Sequence, residues 1–195
     1  VATINPRRVE RGIISVLEGL GYTNWRTEQN LKGTPKRVAR MLVEMCTNGG
    51  EETLDREVFS AIFSTPNNQM LVIKDVYVTG MCPHHILPVQ YKAAVAYVPK
   101  KRVIGLSKIP RLLELVCRSL DLQETLTDRV ADLLMEKLQP RGVMVVLEGV
   151  HGCLTFRGVK QRHAVTTTSA VRGVFRDPAE QARLEFLALL RGGPQ

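Results

Sequence analysis

Gly142-Val143-Met144-Val145-Val146-Leu147-Glu148-Gly149-Val150-His151-Gly152-Cys153 is a run of mostly aliphatic residues, entered through the turn Pro140-Arg141. Its composition and its bounding turn residues read as a strand. Side chains alternate faces along a strand. His151 and Cys153 are therefore expected on one face, with Val143, Val145 and Leu147 further back on it. A second stretch holds the matching chemistry: Met81-Cys82-Pro83-His84-His85. Cys82 and His85 are separated by two residues, a spacing at which a tight turn brings sulfur and nitrogen to one metal. Cys82, His85 and Cys153 then make three protein ligands. Three ligands with an open position is the catalytic zinc arrangement; a closed set of four, with His84 or His151 as the fourth, is a structural one. The plain alternative is coincidence, because a free Cys usually behaves as a buried small hydrophobe. Cys46 and Cys117, set among apolar residues in helical patterns, are read that way. The other two of the four Cys, and three of the four His, fall in these two short clusters.

Outward from these clusters the period alternates between helix and strand. Val9, Ile13, Val16 and Leu20 recur at helical spacing, which predicts a helix over 5–20 ended by Gly21. Residues 22–33 are a polar loop around Trp25. Thr34-Pro35 is a helix start, Thr as N-cap and Pro at the first helical position, and that helix runs to Asn48-Gly49. Leu54 to Phe63 reads as a shorter amphipathic helix, broken by residues 64–68. Met70–Val78 and Gln90–Val98 then alternate as strands, the second with Tyr91, Ala93, Val95 and Tyr97 on one face. Helices follow at about 109–120 and 123–138, the latter with Leu126, Val130, Leu134 and Leu138 on its buried side. The strand ending in Cys153, a strand over 164–175 and a helix from Asp177-Pro178 to about Leu190 complete the chain. Grouped strands and helices argue α+β with an antiparallel sheet. The expected organisation is an N-terminal helical segment, 1–64, and a catalytic domain, 65–195.

Composition narrows the class. Of 195 residues, 44% are hydrophobic and 24% charged, as in soluble globular proteins. No apolar run approaches a membrane span, and no signal peptide is visible. The chain starts at Val1 rather than Met, and a removed N-terminal piece is expected on that ground. Four Cys without framework spacing point to a reducing, cytoplasmic setting. The net charge of +8 invites a polyanion, nucleic acid or a nucleoside triphosphate. Basic residues are scattered, with no block of like charge.

Taken together the motifs resemble a known family. Cys82-x-His84-His85, Ile104-Gly105-Leu106-Ser107-Lys108, Leu122-Gln123-Glu124-x-Leu126-Thr127, His151-x-Cys153 and Arg157-Gly158 occur in the order and approximate spacing of GTP cyclohydrolase I, the type forming dihydroneopterin triphosphate. Thr34-Pro35-x-Arg37 and the ending Thr166-Thr167-Thr168-Ser169 with Gly173-Val174-Phe175 also resemble it. The match covers about residue 30 to the C-terminus. The resemblance implies the tunnelling fold (T-fold), a two-layer unit of antiparallel sheet and paired helices. It implies a homo-oligomer, a decamer of two stacked rings, with sites shared between subunits. It implies Zn2+ on Cys82, His85 and Cys153, the three residues that spacing and strand parity also select.

The implied chemistry is zinc-dependent hydrolysis of the GTP purine ring at C8, releasing formate and giving 7,8-dihydroneopterin triphosphate. Zinc lowers the pKa of a coordinated water to about 7. C8 is a poor electrophile until N7 is protonated, so an acid is needed near the metal, and imidazole suits that work at neutral pH. By resemblance His151 protonates the purine nitrogen, and His84 assists ring opening or acts at the ribose. Glu124 matches the family's guanine-binding carboxylate, with Gln123 beside it; the bland reading of Glu124 is helix N-terminal stabilisation, worth up to ~1 kcal/mol. Lys108, Arg111 and Arg157 match phosphate ligands, as does Arg37, reaching in from a neighbouring chain, and Ser107 lies near ribose or phosphate. Solvated surface charge is the commonest fate of such Lys and Arg.

One departure stands out. The family reads Cys-Glu-His-His where this chain has Pro83. A carboxylate beside His84 is lost, and with it a contact that would orient the imidazole. Two rival functions follow. One is a divergent paralogue with the same fold and metal that stops at a ring-opened formamide or takes another purine nucleotide. The other is a non-enzymatic zinc-stabilised nucleic-acid-binding domain, disfavoured because two spare imidazoles serve no purpose in a structural zinc site. GTP is the expected partner, with no membrane.

Overall fold

The period-two stretches form the strands. β1 (Ile62–Ser64) and β4 (Arg102–Ile104) pair as a small antiparallel sheet. β2 (Leu71–Met81), β3 (Pro88–Val98), β5 (Gly142–His151) and β6 (Thr166–Gly173) make a four-stranded antiparallel sheet in the order β2-β3-β5-β6. The helices are α1 (Pro6–Gly19), α2 (Thr34–Met45), α3 (Gly50–Leu54), α4 (Lys108–Cys117), α5 (Gln123–Leu138), the one-turn α6 (Gly152–Thr155) and α7 (Ala182–Arg191). The computed structural model describes residues 4–192; Val1, on which the expectation of a removed piece rests, lies outside them. Two compact units divide between Thr47 and Asn48. The smaller holds α1 and α2, with the Trp25 indole N–H donating to Glu18 Oε1 at 3.2 Å. The larger begins at Asn48 and takes in α3, β1 and the whole of the four-stranded sheet.

The sheet's central strand explains the layering. Ala93 to Val98 is an unbroken apolar run with every residue buried, the pattern of a strand covered on both faces. On one face Tyr91, Ala93, Val95 and Tyr97 of β3, with Val143, Val145 and Leu147 of β5, pack on α4 and α5 through Leu112, Leu126, Val130 and Leu134. On the other, Ala94, Ala96, Val98 and Met144 meet Phe175, Ala182 and Phe186. The architecture is α+β, as expected: two strand pairs, β2-β3 and β5-β6, joined through the paired helices α4 and α5. The C-terminal helix adds cover on the second face. Among the described residues no helix is long and apolar enough to cross a membrane.

Local differences have local causes. The segment read as one helix over 54–63 is α3 continued by a π-helical turn, Asp55–Phe59, and then β1. Val103 and Phe63 pair across β1 and β4, so tertiary pairing takes over where helical propensity alone would continue. The last strand is shorter than 164–175, ending at Gly173, whose φ of 58° turns the chain away. Cys117 is buried as expected, and burial pushes its thiol up to about 12; Cys46 is only half-buried. The strand expected to reach Cys153 stops at His151.

Phe186 is fully buried against Phe175, with ring centroids 6.4 Å apart, on the face away from α4 and α5. Phe186→Ala should lower unfolding stability by ~3–5 kcal/mol, measured by denaturant titration, while metal bound per folded chain stays unchanged.

Candidate metal centre and its surroundings

The candidate metal cluster is built where the strands β2, β3 and β5 end together. Met81 pairs with Pro88 and Val89 with His151. Residues 82–87 form the tight connection between β2 and β3: the Cys82 N–H donates to Leu87 O, and the Ile86 N–H donates back to Cys82 O, both at 2.9 Å. Ile86 adopts φ +51° to close it. This turn folds His85 back towards Cys82. Across the sheet, β5 ends because Pro88 has no N–H with which to continue a ladder. The chain leaves as α6 instead, which carries Cys153. Gly152 is required at the junction: a Cβ there would lie 2.8 Å from Pro88 O. Cys153 therefore reaches the cluster from a helical turn and not by strand parity with His151.

Among the described residues, Cys82, His85 and Cys153 are brought together with their ligand atoms all within 4.8 Å of one another. Two thiols and an imidazole are a donor set suited to a soft or borderline divalent cation. Cys82 is buried and His85 exposed. Burial, and then the contact with Cys82, push the Cys153 thiol up; the charge of exposed Arg157 acts in the opposite direction. Two imidazoles stand beside this set. His84 is exposed, its Nδ1 3.9 Å from Cys82 Sγ. His151 is half-buried at the end of β5, edge-on to Tyr91 with centroids 6.2 Å apart. Burial pushes His151 below the ordinary histidine range, and the nearby Glu124 carboxylate partly opposes this.

The remaining candidates divide. Glu124, exposed in the first turn of α5, is at the metal end of the sheet, where its charge reaches His151. Gln123 is there too, but its side chain is buried and turned into the protein: its amide nitrogen lies 2.8 Å from Leu147 O, and its Oε1 lies 2.8 Å from His151 Nε2. Ser107, Lys108 and Arg111 sit at the start of α4. Lys108 Nζ donates to Glu57 O at 2.7 Å. The other end of α4, at Cys117, approaches Gly80, beside the cluster. A ten-residue helix spans ~15 Å, so Lys108 begins α4 a helix length from the end that approaches the cluster, and Arg111 stands about one turn nearer. Arg37, in the smaller unit, bonds Asn30 O at 3.1 Å and Thr34 Oγ1 at 2.9 Å.

The chain matches the GTP cyclohydrolase I family over residues 9–191. It is 40% identical to GTP cyclohydrolase 1 of Halalkalibacterium halodurans over 98% of this chain and 100% of that one. The chain belongs to the GTP cyclohydrolase I family. Identity to the GTP cyclohydrolase 1 of Pelotomaculum thermopropionicum is 42%, over 95% and 96% of the two chains. For that of Bacillus subtilis it is 42%, over 94% and 95%. The match extends the sequence resemblance, which began near residue 30, through α1 as well. What sequence reasoning missed in this GTP cyclohydrolase I chain is the polar support behind His151, formed by Thr127 and Thr168 around Gln123. The one available signal was Thr127, a polar residue one helical turn after Gln123 on the otherwise apolar face of α5.

If Cys82, His85 and Cys153 hold the metal, Cys153→Ala should lose most bound metal after dialysis. His84→Ala should keep it. Elemental analysis of the two proteins checks this; full retention by Cys153→Ala would remove that residue from the set.

Proposed function

We propose that this chain hydrolyses the purine ring of GTP at C8, releasing formate and forming 7,8-dihydroneopterin triphosphate. The observation that carries the reading is the convergence of three metal-ligating side chains within 4.8 Å, beside two further imidazoles, in a chain of this family. The metal is zinc, held by Cys82, His85 and Cys153; two thiols and one imidazole fit it better than a hard cation. When bound, zinc supplies the Lewis acidity that makes water nucleophilic near neutral pH.

The chain's own residues do the rest. Glu124 accepts from guanine N1–H and the 2-amino group, which present two donors side by side. His151 gives a proton to N7, so that C8 becomes electrophilic, and takes one back as the imidazole ring opens. His84, exposed beside the cluster, assists ring opening or acts at the ribose. After formate leaves, the ribose undergoes an Amadori-type rearrangement and closes onto the freed amine. Arg157, whose charge already reaches Cys153, binds phosphate at the metal end. Lys108 must give up its contact with Glu57 to join it. The ~15 Å of α4 between Lys108 and the cluster supports a site shared between copies: Ser107, Lys108 and Arg111 of one chain, and Arg37 of another, serve the triphosphate held at a neighbour's metal. A homodecamer is the assembly we propose. Four free cysteines fit the reducing cytoplasm as its setting.

Purified, zinc-loaded protein incubated with GTP should give formate and dihydroneopterin triphosphate by mass. ATP should turn over at least ~10²-fold less efficiently, because it lacks the two donors that pair with the Glu124 carboxylate. A ring-opened formamide as end product favours the truncated reaction that Pro83 raised. Comparable turnover of ATP contradicts the role of Glu124.

A further inference from the structure

We infer that Gln123 is a positioning residue for His151, fixing which ring nitrogen meets the purine. The inference rests on the reading of His151 as the acid–base group and goes one step beyond it. Gln123 and Thr127 are the buried polar residues among those described, at 3% and 1% exposure. The amide nitrogen of Gln123 lies 2.8 Å from Leu147 O, 2.9 Å from Thr166 O and 3.1 Å from Thr168 Oγ1. Two of these are backbone carbonyls, which only accept. The amide cannot be turned over without placing its oxygen against both. Its Oε1 therefore faces His151 Nε2, 2.8 Å away. An acceptor there requires Nε2 to carry hydrogen. In the neutral ring the lone pair is then on Nδ1, the one nitrogen left to exchange a proton with substrate.

The amide itself is held by a closed loop of donors. Thr127 Oγ1 donates to Gln123 O at 2.7 Å. Its hydrogen thus used, Thr127 accepts from Thr168 Oγ1, also at 2.7 Å, and Thr168 in turn accepts from the Gln123 amide. Gly149 makes room for the arrangement. A Cβ at that position would stand 2.4 Å from Gln123 Oε1 and 3.0 Å from the Tyr91 ring. That explains a glycine in the interior of β5. With both polar ends engaged inside the protein, the Gln123 side chain acts on the reaction through His151 and not as a guanine ligand.

The test uses zinc-loaded protein and GTP. Gln123→Met keeps the length and removes the acceptor; kcat should fall on the order of 10²-fold, with KM for GTP nearly unchanged. Gly149→Ala should track Gln123→Met. In a His151→Ala background, Gln123→Met should cost no more than about twofold further. Equal losses in both backgrounds, or a raised KM at unchanged kcat, overturn the inference. If His151→Ala turns over GTP like the parent, the reading of His151 fails first, and the role of Gln123 with it. A readout independent of activity comes from ¹⁵N-histidine spectra of the parent protein. The chain has four His, so the His151 ring is identified by its loss in His151→Ala. A protonated Nε2 with a bare Nδ1 is expected; the opposite tautomer overturns the inference even if Gln123→Met does not fold.

Discussion

Pro88 is the constraint on which the site depends. It is the first residue of β3 and pairs with Met81 on one side. On the other side the ladder with β5 ends at Val89 and His151, because proline has no N–H to carry it further. Two chain segments must then leave the sheet at the same edge: the turn holding Cys82 and His85, and the helical turn holding Cys153. Gly152 lets the second pass close to Pro88 O. Candidate ligands 68 residues apart in sequence (153 − 85) thus meet because one strand stops there.

Behind that edge the structure is a stiff platform. β3 is buried on both faces from Ala93 to Val98; at its other end Val89 and Tyr91 are buried towards the helices while Pro88, Gln90 and Lys92 are exposed, so the helix face alone anchors the turn after β2 and the end of β5 to the packed core. The first turn of α5 lies over the same end and offers two adjacent residues with different tasks. Glu124 faces solvent, free to meet a ligand; Gln123 faces the core and holds His151. One helical position of difference separates an exposed carboxylate from a buried amide that bonds His151.

Much of this was legible in the sequence. Period-two alternation located β3 and the core face of β5, and α5 has the bounds its apolar spacing predicts. The donor set of Cys82, His85 and Cys153 was readable from residue type and spacing, yet the reason given for Cys153 was incomplete. Parity along a strand assumes that the strand continues, and its end is set by Pro88 on a different strand. Gln123 shows the same limit. Next to Glu124 it looks like a second substrate contact; only the carbonyls of Leu147 and Thr166, distant in sequence, turn its amide inward. The separation of Lys108 and Arg111 from the metal end likewise depends on how α4 lies across the sheet, which no local pattern encodes.

The account's central claim is that one strand edge assembles two thiolates and one imidazole around a single zinc. Zinc K-edge X-ray absorption on the metal-loaded protein tests it most directly. The account predicts a shell of two sulfurs at ~2.3 Å and one imidazole nitrogen at ~2.0–2.1 Å, with one sulfur lost in Cys153→Ala. A shell with no sulfur, or one closed by a second imidazole that disappears in His151→Ala, would contradict it.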